Sequence, residues 1–137
     1  MDFDLHHIGN AVPDISIALE FYTYILKYNI VSDYYEHEIM NTRALFLENN
    51  ETRIELIEKI CKDKKSPIDG ILEKLGGGLH HQCFRVDDIP MAIDYLQTCG
   101  FVTVRNSSVL CNDINATFLI TPNCQLIEIM KITNRKG

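Results

Sequence analysis

The chain predicts an α+β fold of two tandem βαβββ modules that form a curved mixed sheet around a cavity. Three observations predict it. The sequence repeats itself, both halves run through the same order of hydrophobic periods, and no Pro/Ser-rich linker separates them. Sliding residues 5–19 onto 79–93 gives seven identities: Leu5/Leu79, His6/His80, His7/His81, Val12/Val86, Asp14/Asp88, Ile15/Ile89 and Ala18/Ala92. Chance would give about one in fifteen. Farther on, Ala44, Phe46 and Leu47 fall on Ala116, Phe118 and Leu119, and Ile54-Glu55 falls on Ile127-Glu128.

Each half opens on an alternating segment, Leu5 to Val12 and His80 to Val86, that reads as a strand. An aspartate follows, Asp14 or Asp88, with apolar residues at helical spacing behind it: Ile15, Ala18, Leu19 and Tyr22, then Ile89, Ile93 and Leu96. A short acid ahead of such a stripe marks a helix N-cap. Three β-type runs complete the first module, Ile30 to Tyr35, Arg43 to Glu48 and Arg53 to Glu58, with Asn49-Asn50-Glu51 as the turn between the last two. The second module is tighter, with Phe101 to Val104, Ala116 to Ile120 and Gln125 to Ile132. Between modules, Ser66-Pro67 opens a connecting helix that runs through Lys74 and stops at Gly76-Gly77-Gly78. The expected organisation is one domain over residues 1–137, with module one at about 4–60, the linker helix at about 66–78 and module two at about 79–133. The aromatics Phe21, Tyr22 and Tyr95 read as core.

Composition narrows the function classes. The 137 residues are 46% hydrophobic and 23% charged, which is globular rather than disordered composition. Thirteen basic residues against 19 acids give a net charge of -6, and only Lys62, Lys64 and Lys65 cluster, so nucleic acid is excluded as a partner. No apolar run approaches the roughly 20 residues a membrane span needs, and the Met-Asp-Phe-Asp start lacks a signal-peptide pattern, so a cytoplasmic protein without membrane contact is expected. Five cysteines, with no C-x-x-C pair, fit neither a disulfide framework nor a zinc knuckle, and most of them read as small buried thiols.

Chemistry enters at the repeated positions. A histidine doublet on the first strand and a glutamate on the last recur in both halves, predicting a set of two His and two Glu. Strand alternation selects within each doublet. His80, Gln82, Phe84 and Val86 share the helix-packed face, leaving His81, Cys83 and Arg85 for the cavity; His7, Gly9 and Ala11 share a face of small residues, while Ile8 and Val12 face the helix. Glu55 and Glu128 are each the lone acid between apolar neighbours. Four ionisable groups gathered on one concave face are costly to desolvate unless a cation joins them. His7, Glu55, His81 and Glu128 are therefore the expected ligands of one divalent metal, and mixed N and O donors suit Co, Ni, Mn, Fe or Zn. Four ligands leave two octahedral positions for vicinal substrate oxygens, the arrangement needed to abstract a proton next to a carbonyl.

These residues resemble the vicinal oxygen chelate superfamily of glyoxalases, bleomycin-resistance proteins and extradiol dioxygenases. The matching runs are Leu5-His6-His7-Ile8-Gly9, Ala11-Val12-Pro13-Asp14, Ile54-Glu55-Leu56, Ser66-Pro67-Ile68, Gly76-Gly77-Gly78-Leu79-His80-His81 and Phe84-Arg85-Val86-Asp87-Asp88-Ile89. The linker and the Gly-Gly-Gly-Leu-His-His run are most similar to the methylmalonyl-CoA epimerase branch. The resemblance implies the same four metal ligands and a proton-transfer role for Glu128. It also implies a second catalytic glutamate before the third strand of module one, where this chain has Ile39, with Glu38 adjacent and Glu36 farther off. A one-residue loop adjustment would install Glu38. The loop Asn106 to Asp113 and the turn Thr121-Pro122-Asn123 also depart from the pattern.

The resulting expectation is a metal-dependent isomerase, methylmalonyl-CoA epimerase-like, acting on an acyl-CoA. The alternatives are a glyoxalase I-like lyase acting on a thiol hemithioacetal and a non-catalytic small-molecule-binding protein. Arg85 is a candidate for a substrate carboxylate or a tether for Glu55, and Cys83 reads as a space-filler. Exposed sheet edges lead to the expectation of a homodimer.

Overall fold

Alternation, capping and turn chemistry place nearly every element where the residues predict it. The computed structural model describes residues 1–110 and 114–132. Among them are nine strands and three α-helices in the order β1 (Asp4–Ala11), α1 (Ile15–Glu20), β2 (Asn29–Ile30), β3 (Tyr35–His37), β4 (Thr42–Asn49), β5 (Thr52–Lys59), α2 (Asp69–Leu75), β6 (Gly78–Arg85), α3 (Ile89–Thr98), β7 (Val102–Leu110), β8 (Ile114–Ile120) and β9 (Leu126–Ile132). The fold is α+β; the βαβββ order is met in the second half, and in the first the strand after the helix is split into β2 and β3. Contacts divide the chain into two units, His7–His80 and the remainder.

In the unit His7–His80, β4 pairs antiparallel with β5, and β5 lies parallel to β1 with Gly9 opposite Glu55. β2 and β3 both pair with β4. The face carrying Leu45, Leu47, Ile54 and Leu56 is buried under α1 through Ile15, Ala18 and Leu19. The opposite face carries Ala11, Ala44 and Ile57, and α2 seals that end with Ile68, Ile71 and Leu72. Gly76 closes α2 in the left-handed region (φ 75°), a conformation cheap only without a side chain. At Gly77 a Cβ would fall 2.8 Å from the Ala11 carbonyl oxygen, so only glycine lets the linker pass over β1.

The other unit repeats the plan. β8 pairs antiparallel with β9 and with β7, and β9 lies parallel to β6 with Cys83 opposite Glu128. Ile89, Ala92 and Leu96 of α3 pack on Val86, Leu119, Ile127 and Ile129. The equivalence extends to single bonds. The Val12 amide donates to the Ile57 carbonyl at 2.8 Å, and the Val86 amide to the Met130 carbonyl at 2.9 Å. Asp14 accepts from the Ser16 and Ile17 amides and Asp88 from Met91, the caps the sequence predicts.

Four readings need correction. The run Ile30 to Tyr35 is two short strands, because Ser32 interrupts the ladder and accepts the Phe46 amide on its hydroxyl at 2.8 Å. The segment Asn106 to Asp113 is not all loop, since β7 continues to Leu110; residues 111–113 lie outside the described residues. The linker helix begins at Asp69 rather than Ser66, whose amide is instead capped by Asp69 Oδ2 at 2.9 Å. Phe21 and Tyr95 are not core, being 49% and 51% exposed. Phe21 starts a π-helical stretch, Phe21–Ile25, whose wider turn carries it off the buried stripe, while Tyr95 sits one position from the buried Leu96.

Among the described residues, no helix is long and apolar enough to cross a membrane. Cys61, Cys99 and Cys124 are free thiols. Cys83 is fully buried against Ala116 and Met130, but Cys61 is half-buried and Cys99 and Cys124 are exposed, so the expectation that most cysteines are buried is corrected for the described residues.

Candidate functional site

Strand alternation turns one residue in two toward the sheet face that α1 or α3 leaves open, and the selected histidines lie there. In the unit His7–His80 that face presents His7, Phe46 and Glu55. Register sets the contacts: Phe46 is opposite Glu55 across β4 and β5, and Gly9 is opposite Glu55 across β1 and β5. His7 Nε2 lies 3.4 Å from Glu55 Oε1. The Phe46 ring meets the His7 ring edge-on at 5.0 Å.

The other unit builds the same triplet from β6, β8 and β9. Phe118 is opposite Glu128 in register, His81 Nε2 lies 3.2 Å from Glu128 Oε1, and the Phe118 ring meets His81 edge-on at 5.6 Å. All four polar residues are buried, His7 and Glu55 at 5% and 8% exposure and His81 and Glu128 at 4% each, whereas His6 and His80 are only half-buried. Each half thus brings together the histidine and glutamate that the sequence pairs.

The donors of each pair fit a metal. Two ligand atoms each about 2.1 Å from one cation, at a right angle, lie about 3.0 Å apart. The Nε2–Oε1 separations of 3.4 and 3.2 Å are close to that. Burying a carboxylate costs several kcal/mol unless a positive partner offsets it.

Tyr35, Glu58 and Asn41 carry weight that the sequence reading did not assign. Tyr35, on β3, donates its hydroxyl hydrogen to Glu55 Oε2 and stacks its ring on Phe46 at 5.9 Å. Glu58 is buried on the helix-packed face, where Oε1 accepts the Ile15 amide at 2.7 Å and Oε2 accepts from Arg43 Nε at 2.9 Å. This bond holds the Arg43 guanidinium above its ordinary pKa. Period-two alternation from Ile54 and Leu56 already puts Glu58 on that face, which was the available signal. Asn41, left-handed at φ 55°, donates to the carbonyls of Cys61 and Lys64 and accepts the Cys61 amide, pinning the lysine-rich loop. Nothing in its sequence context signals this role.

The remaining candidates are more exposed than these pairs. Glu38 lies in the exposed turn after β3, and Ile39 beside it is 87% exposed. Arg85 has a side chain 39% exposed and approaches Asp4 at 3.5 Å. Lys62, Lys64 and Lys65 are exposed.

Comparison with known proteins bears on the family and the fold. Residues 6–118 match the family model of the Glyoxalase/Bleomycin resistance protein/Dioxygenase superfamily. The chain is 36% identical over 92 residues to the mitochondrial methylmalonyl-CoA epimerase of Mus musculus, covering 65% of this chain and 49% of the relative. It is 35% identical over 97 residues to the ethylmalonyl-CoA/methylmalonyl-CoA epimerase of Cereibacter sphaeroides, covering 70% of each. The match to the mouse protein thus spans about half the length of that relative. Among solved structures, hypothetical protein BH1468 from Bacillus halodurans superposes with a TM-score of 0.86 at 26% identity, over 100% of this chain and 99% of that one. Methylmalonyl-CoA epimerase from Mycobacterium tuberculosis superposes with a TM-score of 0.83 at 23% identity, over 96% and 89%, and shares the fold. Repeat, topology and family model together establish that the chain belongs to the glyoxalase/bleomycin resistance protein/dioxygenase superfamily.

Proposed function

We propose that the chain is a metal-dependent isomerase that removes the proton alpha to the carbonyl of an acyl-CoA, an activity of the methylmalonyl-CoA epimerase kind. In this reading His7, Glu55, His81 and Glu128 hold one divalent cation. The observation that carries it is the pair of buried, repeat-related His–Glu contacts at 3.4 and 3.2 Å. The epimerases among its relatives support it.

A divalent cation held by these residues supplies Lewis acidity to a carbonyl oxygen. Glu128 takes the alpha proton as the C–H electron pair moves into the enolate, a step for which a positioned base contributes typically 10²- to 10⁴-fold. Phe46 and Phe118 hold the His7 and His81 rings and keep water from them. Glu38 is the acid assigned to the second face of the enolate, and Arg85 the cation assigned to a substrate carboxylate. Incubation of metal-loaded protein with one methylmalonyl-CoA epimer in D₂O should give epimerisation with deuterium at the alpha carbon. Neither product appearing in protein shown to carry metal would overturn the reading.

One observation favours a second reading. Ile39 stands where a second acid is expected, and Glu38 beside it is exposed. A glyoxalase I-like lyase acting on a thiol hemithioacetal needs the same metal and base but less of a second acid. Turnover of methylglyoxal with glutathione or another thiol, without exchange into methylmalonyl-CoA, would select it.

A further inference from the structure

One carboxylate of the candidate site is met by a phenol. In the unit His7–His80 four side chains close a ring. His7 Nε2 faces Glu55 Oε1, Tyr35 donates to Glu55 Oε2, Tyr35 stacks on Phe46 with planes 22° apart, and Phe46 meets the edge of His7. Tyr35 is itself anchored. β3 pairs with β4 so that Tyr35 is opposite Ala44, and its ring packs against the buried cluster of Ala11, Ala44, Ile57 and Ile68.

The internal repeat identifies the corresponding position in the other unit. Ala44 corresponds to Ala116, and the residue paired with Ala116 is Ser108. A serine there brings no phenol.

We propose that Tyr35 is a positioning residue that fixes the Glu55 carboxylate for metal binding. This rests on the metal-binding reading above. A phenol carries one donor hydrogen. Committed to Oε2, it sets the rotation of the carboxylate and leaves Oε1, the atom facing His7, to bind the cation. Outer partners of this kind orient metal ligands, and removing one typically costs about 10- to 100-fold in metal affinity.

The test is cobalt binding, measured by competition against a chelator and by the visible absorption of the bound ion. Tyr35→Phe keeps the ring stack and removes only the donor. It should bind Co²⁺ about 10- to 100-fold more weakly than wild type, with a shifted spectrum and an unchanged Tm of the metal-free protein. Made in a Glu55→Ala background, the same change should alter Co²⁺ affinity by less than about twofold, because the two residues act as a unit. Equal affinity and spectrum in wild type and Tyr35→Phe would overturn the proposal while leaving the metal site standing. So would an undiminished effect of Tyr35→Phe in the Glu55→Ala background. A wild-type protein that takes up no cobalt would overturn the metal-binding reading and this proposal with it, a result distinct from the other two.

Discussion

The two halves share a framework and differ in how they secure it. Both place His, Phe and Glu in the same register, cap the first helix with Asp, and extend the parallel strand pair with one amide-to-carbonyl bond, Val12 to Ile57 and Val86 to Met130. The first half adds a phenol on its site glutamate and a second buried acid, Glu58, that ties the start of α1 to β5 and to Arg43. At the positions corresponding to Tyr35 and Glu58 the other half has Ser108 and the exposed Lys131. Ladder register demands that the same positions share the open face in both halves. The supports around those side chains face no such demand and are free to diverge, so equal ligands need not play equal parts.

The largest expected effect separates the two glutamates. Glu128→Gln should cut alpha-proton exchange by about 10²- to 10⁴-fold in metal-loaded protein, whereas Glu55→Gln should act mainly on Co²⁺ affinity. Deuterium uptake followed by NMR, beside cobalt titration, distinguishes them; indistinguishable profiles for the two variants would mean that the halves are functionally equivalent.

Next come the paired core residues Leu47 and Leu119, both fully buried at corresponding positions. Truncating either to alanine should cost about 2–5 kcal/mol in urea unfolding. A large disparity between them would show that the shared framework is not equally packed.

Glu58→Ala should cost about 1–3 kcal/mol, because the Ile15 amide loses its buried acceptor. Lys131→Ala should stay within about 0.5 kcal/mol. Comparable losses would remove the distinction drawn between the supports of the two halves.

The smallest effect is a pH dependence that belongs to the first half. Its own Ser16 hydroxyl and amide bonds hold Asp14 below its ordinary pKa of 3.8, and the Lys59 ammonium at 2.8 Å does the same for Asp69. A carboxylate with a lowered native pKa stabilises the fold above its unfolded pKa and loses that contribution as pH falls through the native value. The stability advantage of wild type over Asp14→Ala should therefore persist at neutral pH and shrink below 3.8. An advantage that grows on acidification would contradict the assigned cause.

Much of this was legible in the residues because it depends on local period and on repetition. Alternation along β1 and β6 separates His7 from His6 and His81 from His80, and the partners Glu55 and Glu128 follow from their apolar neighbours. Tyr35 was not legible, since the run Ile30 to Tyr35 reads as one strand and only the break at Ser32 lets β3 pair separately with β4. Phe21 departs from the core reading because hydrophobic spacing presumes 3.6 residues per turn, which the π-helical stretch does not keep.

By itself, the sequence determined the α+β modules, their caps and turns, and which imidazole and carboxylate each half offers. These follow from backbone geometry acting over a few residues and from copying it once. Only the tertiary structure decided that Tyr35 meets Glu55, that Glu58 meets the Ile15 amide, and that α2 seals the end of the open face beside them. Those contacts join residues 20 and 43 positions apart in the two hydrogen bonds, and packing, not local periodicity, sets which distant groups meet.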